Sequence, residues 1–254
     1  MSPSSDSAPE SERTHYSYAH YANRDVAEGF DALRFSGPIG QHLLREQQRL
    51  LIEALSPLAG RHVVDVGTGT GRAAIGLALE GARVTGLDAS VEMLDVARRR
   101  ASDAGAAVVF GVADAHRLPL PDRSADAAVC LRVLMHAIDW PMCVGELCRV
   151  ARWRVVVDFP ALGSGAAIES TVRRTRKWLG RRVEAYRVIS EHDVRAVFAR
   201  HGFRIVTVRR QFVMPIAIHK VVNRPGVTLK LERVLARLGL LRLLGSPVSM
   251  VAER

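Results

Sequence analysis

An α/β fold, with a seven-stranded, mostly parallel sheet, helices on both faces and an antiparallel last strand, is what the sequence predicts. Three observations carry this. From residue 62 onward, short and nearly unbroken apolar segments alternate with stretches of helical period, as expected of parallel strands covered on both faces. The first segment, "HVVDVG", runs straight into alternating glycines. About thirty residues separate the last two apolar segments, too many for a tight hairpin.

Residues 1–14 are rich in Ser, Pro and Glu and read as a disordered tail. Residues 15–254 read as a single domain with an N-terminal helical cap over 15–58. In the cap, Leu43, Leu44, Leu50, Leu51 and Leu55 follow a helical period that stops at Ser56-Pro57. Strand "HVVDVG" leads to a helix over 71–80 and then strand "ARVTGLD". A helix over 90–104 follows, with Ser90 as N-cap. "AAVVFGVAD" and "ADAAVCLRV" are the third and fourth strands; a helix near 140–150 precedes the fifth, "WRVVVDF". "SEHDVRAVFARHGF" is a helix with Ser190 at its N-cap and Gly202 at its end. "FRIVTVRRQFV" and "PVSMVAE" complete the sheet. Insertions are expected at 160–189, with an Arg-rich amphipathic helix, and at 214–245.

The composition, 48% apolar and 24% charged, is that of an ordinary globular protein. No apolar run reaches the ~18–20 residues that cross a bilayer, and the polar N-terminus does not read as a secretory signal. Cys130, Cys143 and Cys148 offer neither a disulfide framework nor metal-site spacing; a cytoplasmic location is expected. The net charge of +10 rests almost wholly on arginine. A solvated basic face is the plainer reading, and attraction to nucleic acid, anionic lipid or an acidic substrate the sharper one.

The glycine loop leaves the cofactor open. Gly69-x-Gly71-x-x-Ala74, with Asp88 about 20 residues after the loop, satisfies a dinucleotide pattern. Glycines permit close approach of backbone to ligand, and a carboxylate accepts ribose hydroxyls; any adenosine cofactor can use both. Three features favour a cofactor without a pyrophosphate. Asp65 stands inside the strand before the glycines, where it would repel a pyrophosphate but suit an amino group and a sulfonium. Asp114 falls at a strand end, where it can accept from an adenine amino group. No tyrosine has a lysine four residues later, the pair a dehydrogenase of this size commonly needs.

Taken in order, "VVDVGTGTG", "VTGLDAS…ML", "ADAHRLPLPDRSADAAVCLRVLMHAIDW" and "ELCRVARWRVVVDF" resemble the successive motifs of class I S-adenosylmethionine (SAM)-dependent methyltransferases, in the group of ubiquinone and menaquinone C-methylases. The resemblance covers residues 60–160 and departs at Ala151-Arg152, where the family usually has Gly-Gly. It implies a Rossmann-like sheet and SAM as cofactor. Gly67, Thr68, Gly69 and Gly71 would line its amino-acid and ribose portions, with Asp65 orienting the ammonium. Asp88 would hold the ribose; Ala89 and Met93 would flank the adenine. Asp114 and Ala115 would read the adenine edge, and Leu131 would close the floor. Met93 has an equally plain reading as core.

Methyl transfer by in-line displacement depends on alignment and exclusion of water, and a hydroxyl nucleophile also benefits from a base. His136, just past the fourth strand, and His219, after the sixth, are the candidates, because both follow strands at the carboxyl edge where ligands bind. No acidic cluster suited to magnesium follows the fourth strand, so no metal is expected. The acceptor should be a small or lipid-like molecule met by the segments outside the common core. Tyr18, Tyr21, Phe30 and Phe35 are either aromatic caps for a sulfonium or helix-packing residues. "RRTRKWLGRR" is a solvated face, or a contact for phosphate or an anionic lipid surface. "LERVLARLGLLRLL" packs on the domain or a homodimer partner, or lies in a membrane interface. The competing functions are an RNA methyltransferase, a NAD(P)-dependent oxidoreductase and a non-catalytic methyltransferase-like binder; no base-methylating motif or RNA-binding module is present, so no nucleic-acid partner is expected.

Overall fold

The computed structural model describes residues 37–164, 187–215 and 224–254, together with Ile218, His219 and Val222. The tail at 1–14, the four aromatics of the cap and the cluster "RRTRKWLGRR" lie outside the described residues.

The elements, in order, are α1 (Gly37–Leu55), β1 (His62–Val66), α2 (Arg72–Leu79), β2 (Arg83–Asp88), α3 (Val91–Asp103), β3 (Val108–Val112), β4 (Ala125–Cys130), α4 (Trp140–Val150), β5 (Ala151–Phe159), α5 (Glu191–Arg200), β6 (Arg204–Phe212), α6 (Pro225–Arg237), α7 (Leu240–Leu244) and β7 (Ser246–Glu253). They form a seven-stranded sheet in the order β3-β2-β1-β4-β5-β7-β6. β7 alone runs antiparallel, between β5 and β6; the other pairings, β1 with β2 and β4, β2 with β3, and β4 with β5, are parallel. The predicted fold class is the observed one.

The unbroken apolar strands now have a reason, because successive residues feed two cores. Val63, Val84, Ala127, Val129, Val156 and Val251 face a layer with Leu51, Leu55 and Leu58 around α1 and with Ala74 and Leu77 of α2. Val64, Val66, Leu87, Ala128, Val155, Val157 and Met250 face the opposite layer, with Val144 and Leu147 of α4 and Val194 and Phe198 of α5. Period-2 alternation is hidden when both faces are dry. Ser90 caps α3 as its sequence suggests, its Oγ accepting from Met93 N at 3.1 Å. Ser190 occupies the N-cap position of α5 but makes no side-chain capping bond.

β4 is shorter than the apolar run "ADAAVCLRV". It stops at Cys130 because Arg132 takes a left-handed conformation, φ +64°, which no strand accommodates. Its backbone N–H is taken by the Asp158 carboxylate at the end of β5. β3 likewise ends at Val112, so Asp114 sits in the following turn, bridged to Arg117.

Candidate active site

The sheet order reverses between β1 and β4, and at such a switch point the loops leaving the carboxyl ends diverge and open a crevice. One cleft lies there, and most of the predicted cofactor residues line it: Asp65, Gly67, Thr68, Gly69, Asp88, Ala89, Met93, Asp114, Ala115 and Leu131.

The loop after β1 is built by positive φ at Gly67 (+70°), Gly69 (+54°) and Gly71 (+80°). Gly67 N and Thr68 N both donate to Leu87 O, at 2.7 and 3.0 Å, which fastens the loop to the end of β2. A Cβ on Gly67 would stand 2.1 Å from Val133 Cγ2, so only glycine fits. Gly71 has a different task. It does not line the cleft; it starts α2, and a Cβ there would meet Ala97, Ile75 and Phe110 at 3.0–3.3 Å. Its smallness serves helix packing.

Asp88 is held from two sides, Oδ2 accepting from Gly69 N at 2.7 Å and Oδ1 from Ser90 N at 2.9 Å. Burial raises its pKa above the ordinary carboxylate range, against the pull of those N–H groups. Asp65 is buried and accepts from Thr68 Oγ1 at 2.7 Å. Burial, and to a lesser degree the nearby Asp88, push its pKa up to about 6. A carboxyl this deep gains from a cationic partner. Asp114 accepts from its neighbour: the backbone N and Nδ1 of His116 lie 2.8 and 2.6 Å from Oδ1. His116 Nε2 accepts from Asp139 N at 3.2 Å, which assigns the ring proton to Nδ1, facing Asp114.

His136 lines the same cleft, buried in the short turn Leu134–His136. His219 does not. It is fully buried elsewhere, with Nε2 3.1 Å from Glu232 Oε1 and its ring 4.7 Å from that of Phe212. Glu232 also accepts from Val213 N and Met214 N at 2.8 and 2.9 Å, so His219 joins a polar knot that ties α6 to the end of β6. The expectation that it reaches the cleft is corrected: its partner lies 13 residues ahead, on a helix whose side-chain directions depend on tertiary packing. Asp122 and Asp126 sit outside the cleft, Asp122 paired with Arg149 and Asp126 accepting from His62 N.

Sequence reasoning missed several lining residues, among them Gln47, Arg72, His116 and Arg132. Asp158, which fixes the Arg132 turn, was missed too. Its trace in the sequence is an acid ending an otherwise apolar strand, "VVVDF". The three cysteines are buried, and burial pushes their thiols well up, which makes them inert core residues.

The strand order, the antiparallel β7 and a glycine loop with acids on either side are those of the class I SAM-dependent methyltransferase fold. A family model described as "Methyltransferase domain" matches residues 64–154. Over 147 residues the chain is 35% identical to demethylmenaquinone methyltransferase of Thermus thermophilus, a match covering 56% of this chain and 66% of that one. The chain spans about half the length of the curated relatives it matches. Among solved structures, the magnesium protoporphyrin IX methyltransferase of Synechocystis with bound SAM superposes with a TM-score of 0.64 at 19% identity, covering 98% of this chain and all of that one. The [4+2]-cyclase SpnF superposes with a TM-score of 0.66 at 20% identity, covering 97% of each. Likenesses at this identity establish the fold alone, and a cyclase among them means that the reaction must be argued from the site.

Proposed function

We propose that the chain is a SAM-dependent enzyme that moves a methyl group to oxygen or carbon of a small or lipid-like acceptor. The observation that carries this is the meeting, at one sheet edge, of a glycine loop with the carboxylates of Asp65, Asp88 and Asp114. The residues fit SAM. A buried acid suits its ammonium, and a carboxylate anchored by Gly69 N and Ser90 N retains lone pairs for two ribose hydroxyls. Asp114 and Ala115 would take the adenine edge, Ala89 and Met93 its faces, and Leu131 the floor. When bound, SAM supplies a methyl group activated on a sulfonium.

The chain's own part is to bind, orient and exclude water. His136, buried on the cleft wall, is the group in reach to accept a proton from a hydroxyl acceptor. Demethylmenaquinone, named for one relative, is largely apolar, which supports a lipid-like acceptor. A cytoplasmic location belongs to the same reading. Among the described residues no helix is long and apolar enough to cross a membrane.

The test is thermal shift with SAM, S-adenosylhomocysteine and NAD, on the wild-type chain and on Asp88→Ala. Stabilisation by the first two is expected, with a loss of at least tenfold in affinity in the variant. Stabilisation by NAD alone sinks the proposal.

His116 gives a finer test. His116→Gln removes the Nδ1–H donor to Asp114 and should weaken S-adenosylhomocysteine binding by about fivefold, the worth of one hydrogen bond. His116→Asn, whose amide can replace Nδ1, should lose less. Both effects should shrink for the inosine analogue, which lacks the adenine amino group. Equal losses for both nucleosides would mean that His116 shapes the turn without orienting Asp114.

A further inference from the structure

α6 carries a stripe of exposed apolar side chains. Val227, Leu231, Val234 and Leu238, just past its end, are 59%, 45%, 49% and 69% exposed. At 100° per residue they fall within about 60° of one another around the helix axis. Leu243 of α7 is 74% exposed. Bare leucines and valines in one row are costly in water and mark a surface meant to be covered.

The charges around the stripe are of one sign. Arg224, Lys230, Arg233, Arg237 and Arg242 are exposed, and Arg224, Lys230 and Arg237 flank the apolar row. The one acid of this helix, Glu232, is 7% exposed and faces inward, accepting from Val213 N and Met214 N beside His219. The outer face therefore presents apolar groups and positive charge with no carboxylate among them.

We infer that α6 and α7 form a docking face for an anionic phospholipid surface, with the apolar row in the acyl boundary and the bases at the headgroups. The charge decides the occupant. An interfacial helix combines such a row with flanking Lys and Arg, and anionic headgroups complement the bases. A second copy of this net-positive chain would bring like charges together. The face also lies where it serves the cleft. α6 and α7 connect the carboxyl end of β6 to the start of β7, at the sheet edge where the cleft opens. Leu229 of α6 packs with Phe212, Ile39 and Leu43, and one turn beyond Leu43 on α1, Gln47 lines the cleft. The inference rests on the proposed function only for the purpose of docking, which is access to a lipid-like acceptor.

The test is co-sedimentation of the full chain with vesicles of phosphatidylcholine, with and without phosphatidylglycerol, alongside calorimetric binding of S-adenosylhomocysteine. Partition into the anionic vesicles at low salt is expected, falling as salt rises. Leu231→Asp/Leu238→Asp should lower it more than tenfold, and Lys230→Gln/Arg237→Gln by about fivefold for each base removed. Both substitutions lie on exposed positions, so melting temperature and nucleoside binding should stay unchanged. Equal binding to neutral vesicles, or no response to Leu231→Asp/Leu238→Asp, overturns the inference. So does light scattering that reports a dimer dispersed by the same pair, which would assign the face to a second copy. If S-adenosylhomocysteine fails to bind while vesicles do, the proposed function falls and the docking face stands.

Discussion

Asp65→Asn is expected to make the ligand-free protein more stable at neutral pH while it loses its hold on SAM. The carboxyl is buried, and its pKa lies at about 6 in the folded chain against 3.8 for an unperturbed group. A raised folded-state value means that folding takes up a proton between those limits. The stabilising share of this group is complete below about pH 4 and is lost as pH climbs through 6. At neutral pH the buried charge therefore costs on the order of 3 kcal/mol. The amide escapes that cost but has one acceptor oxygen to offer the Thr68 hydroxyl and the Ala74 N–H, which both bind the carboxylate. A net gain of about 1–2 kcal/mol remains. Calorimetry at pH 5 and pH 8 should find the gain at pH 8 and much less of it at pH 5. Affinity for SAM should fall more than tenfold, since the neutral side chain no longer attracts an ammonium. A melting temperature lowered at both pH values would make Asp65 a structural residue. Strain kept for a ligand is a common exchange of stability for function.

Gly67→Ala should be the most damaging small change in the loop. The backbone there has φ +70°, which costs an L-residue about 1–2 kcal/mol, and the new methyl would lie 2.1 Å from Val133 Cγ2. Either the loop or the turn after β4 must move, and both line the cleft. A loss of at least about 3 kcal/mol in unfolding free energy is expected, with nucleoside binding abolished. Adding Val133→Ala removes the clashing methyl groups but not the left-handed φ. The double variant should recover part of the stability in denaturant titrations. No recovery would place the whole cost in the backbone.

The residues whose placement was legible in the sequence share a physical trait. Apart from Met93 and His136, the cleft residues named from the sequence sit within three residues of a strand end or in the glycine loop. For them, knowing the strand fixes the position. The residues that were missed depend on what a neighbouring strand brings. Asp158 reaches Arg132 across β4 and β5, 26 positions apart, and no periodicity encodes such a meeting. The end of β4 was misjudged for the same reason, since Leu131-Arg132-Val133 has strand composition and only the Asp158 carboxylate shows why the chain turns. His219 failed in the opposite direction. Its position after β6 suggested the cleft, but Glu232 and Phe212 hold it inside. Whether an ionisable residue on an amphipathic helix faces in or out was undecidable until its partners were known. Glu232, the acid that faces in, is the clearest case.

Helix α1 touches both ends of this arrangement. Gln47 faces the cleft, while Ile39 and Leu43 pack with Phe212 and against Leu229 of α6. One helix thus borders the proposed nucleoside cleft at one turn and packs against the proposed docking helix at another. Thermodynamic linkage then works in both directions. If a lipid surface tilts α1 and tightens the cleft by some factor, the nucleoside must strengthen lipid binding by that same factor. A chain loaded with nucleoside would then reside longer at the surface than an empty one.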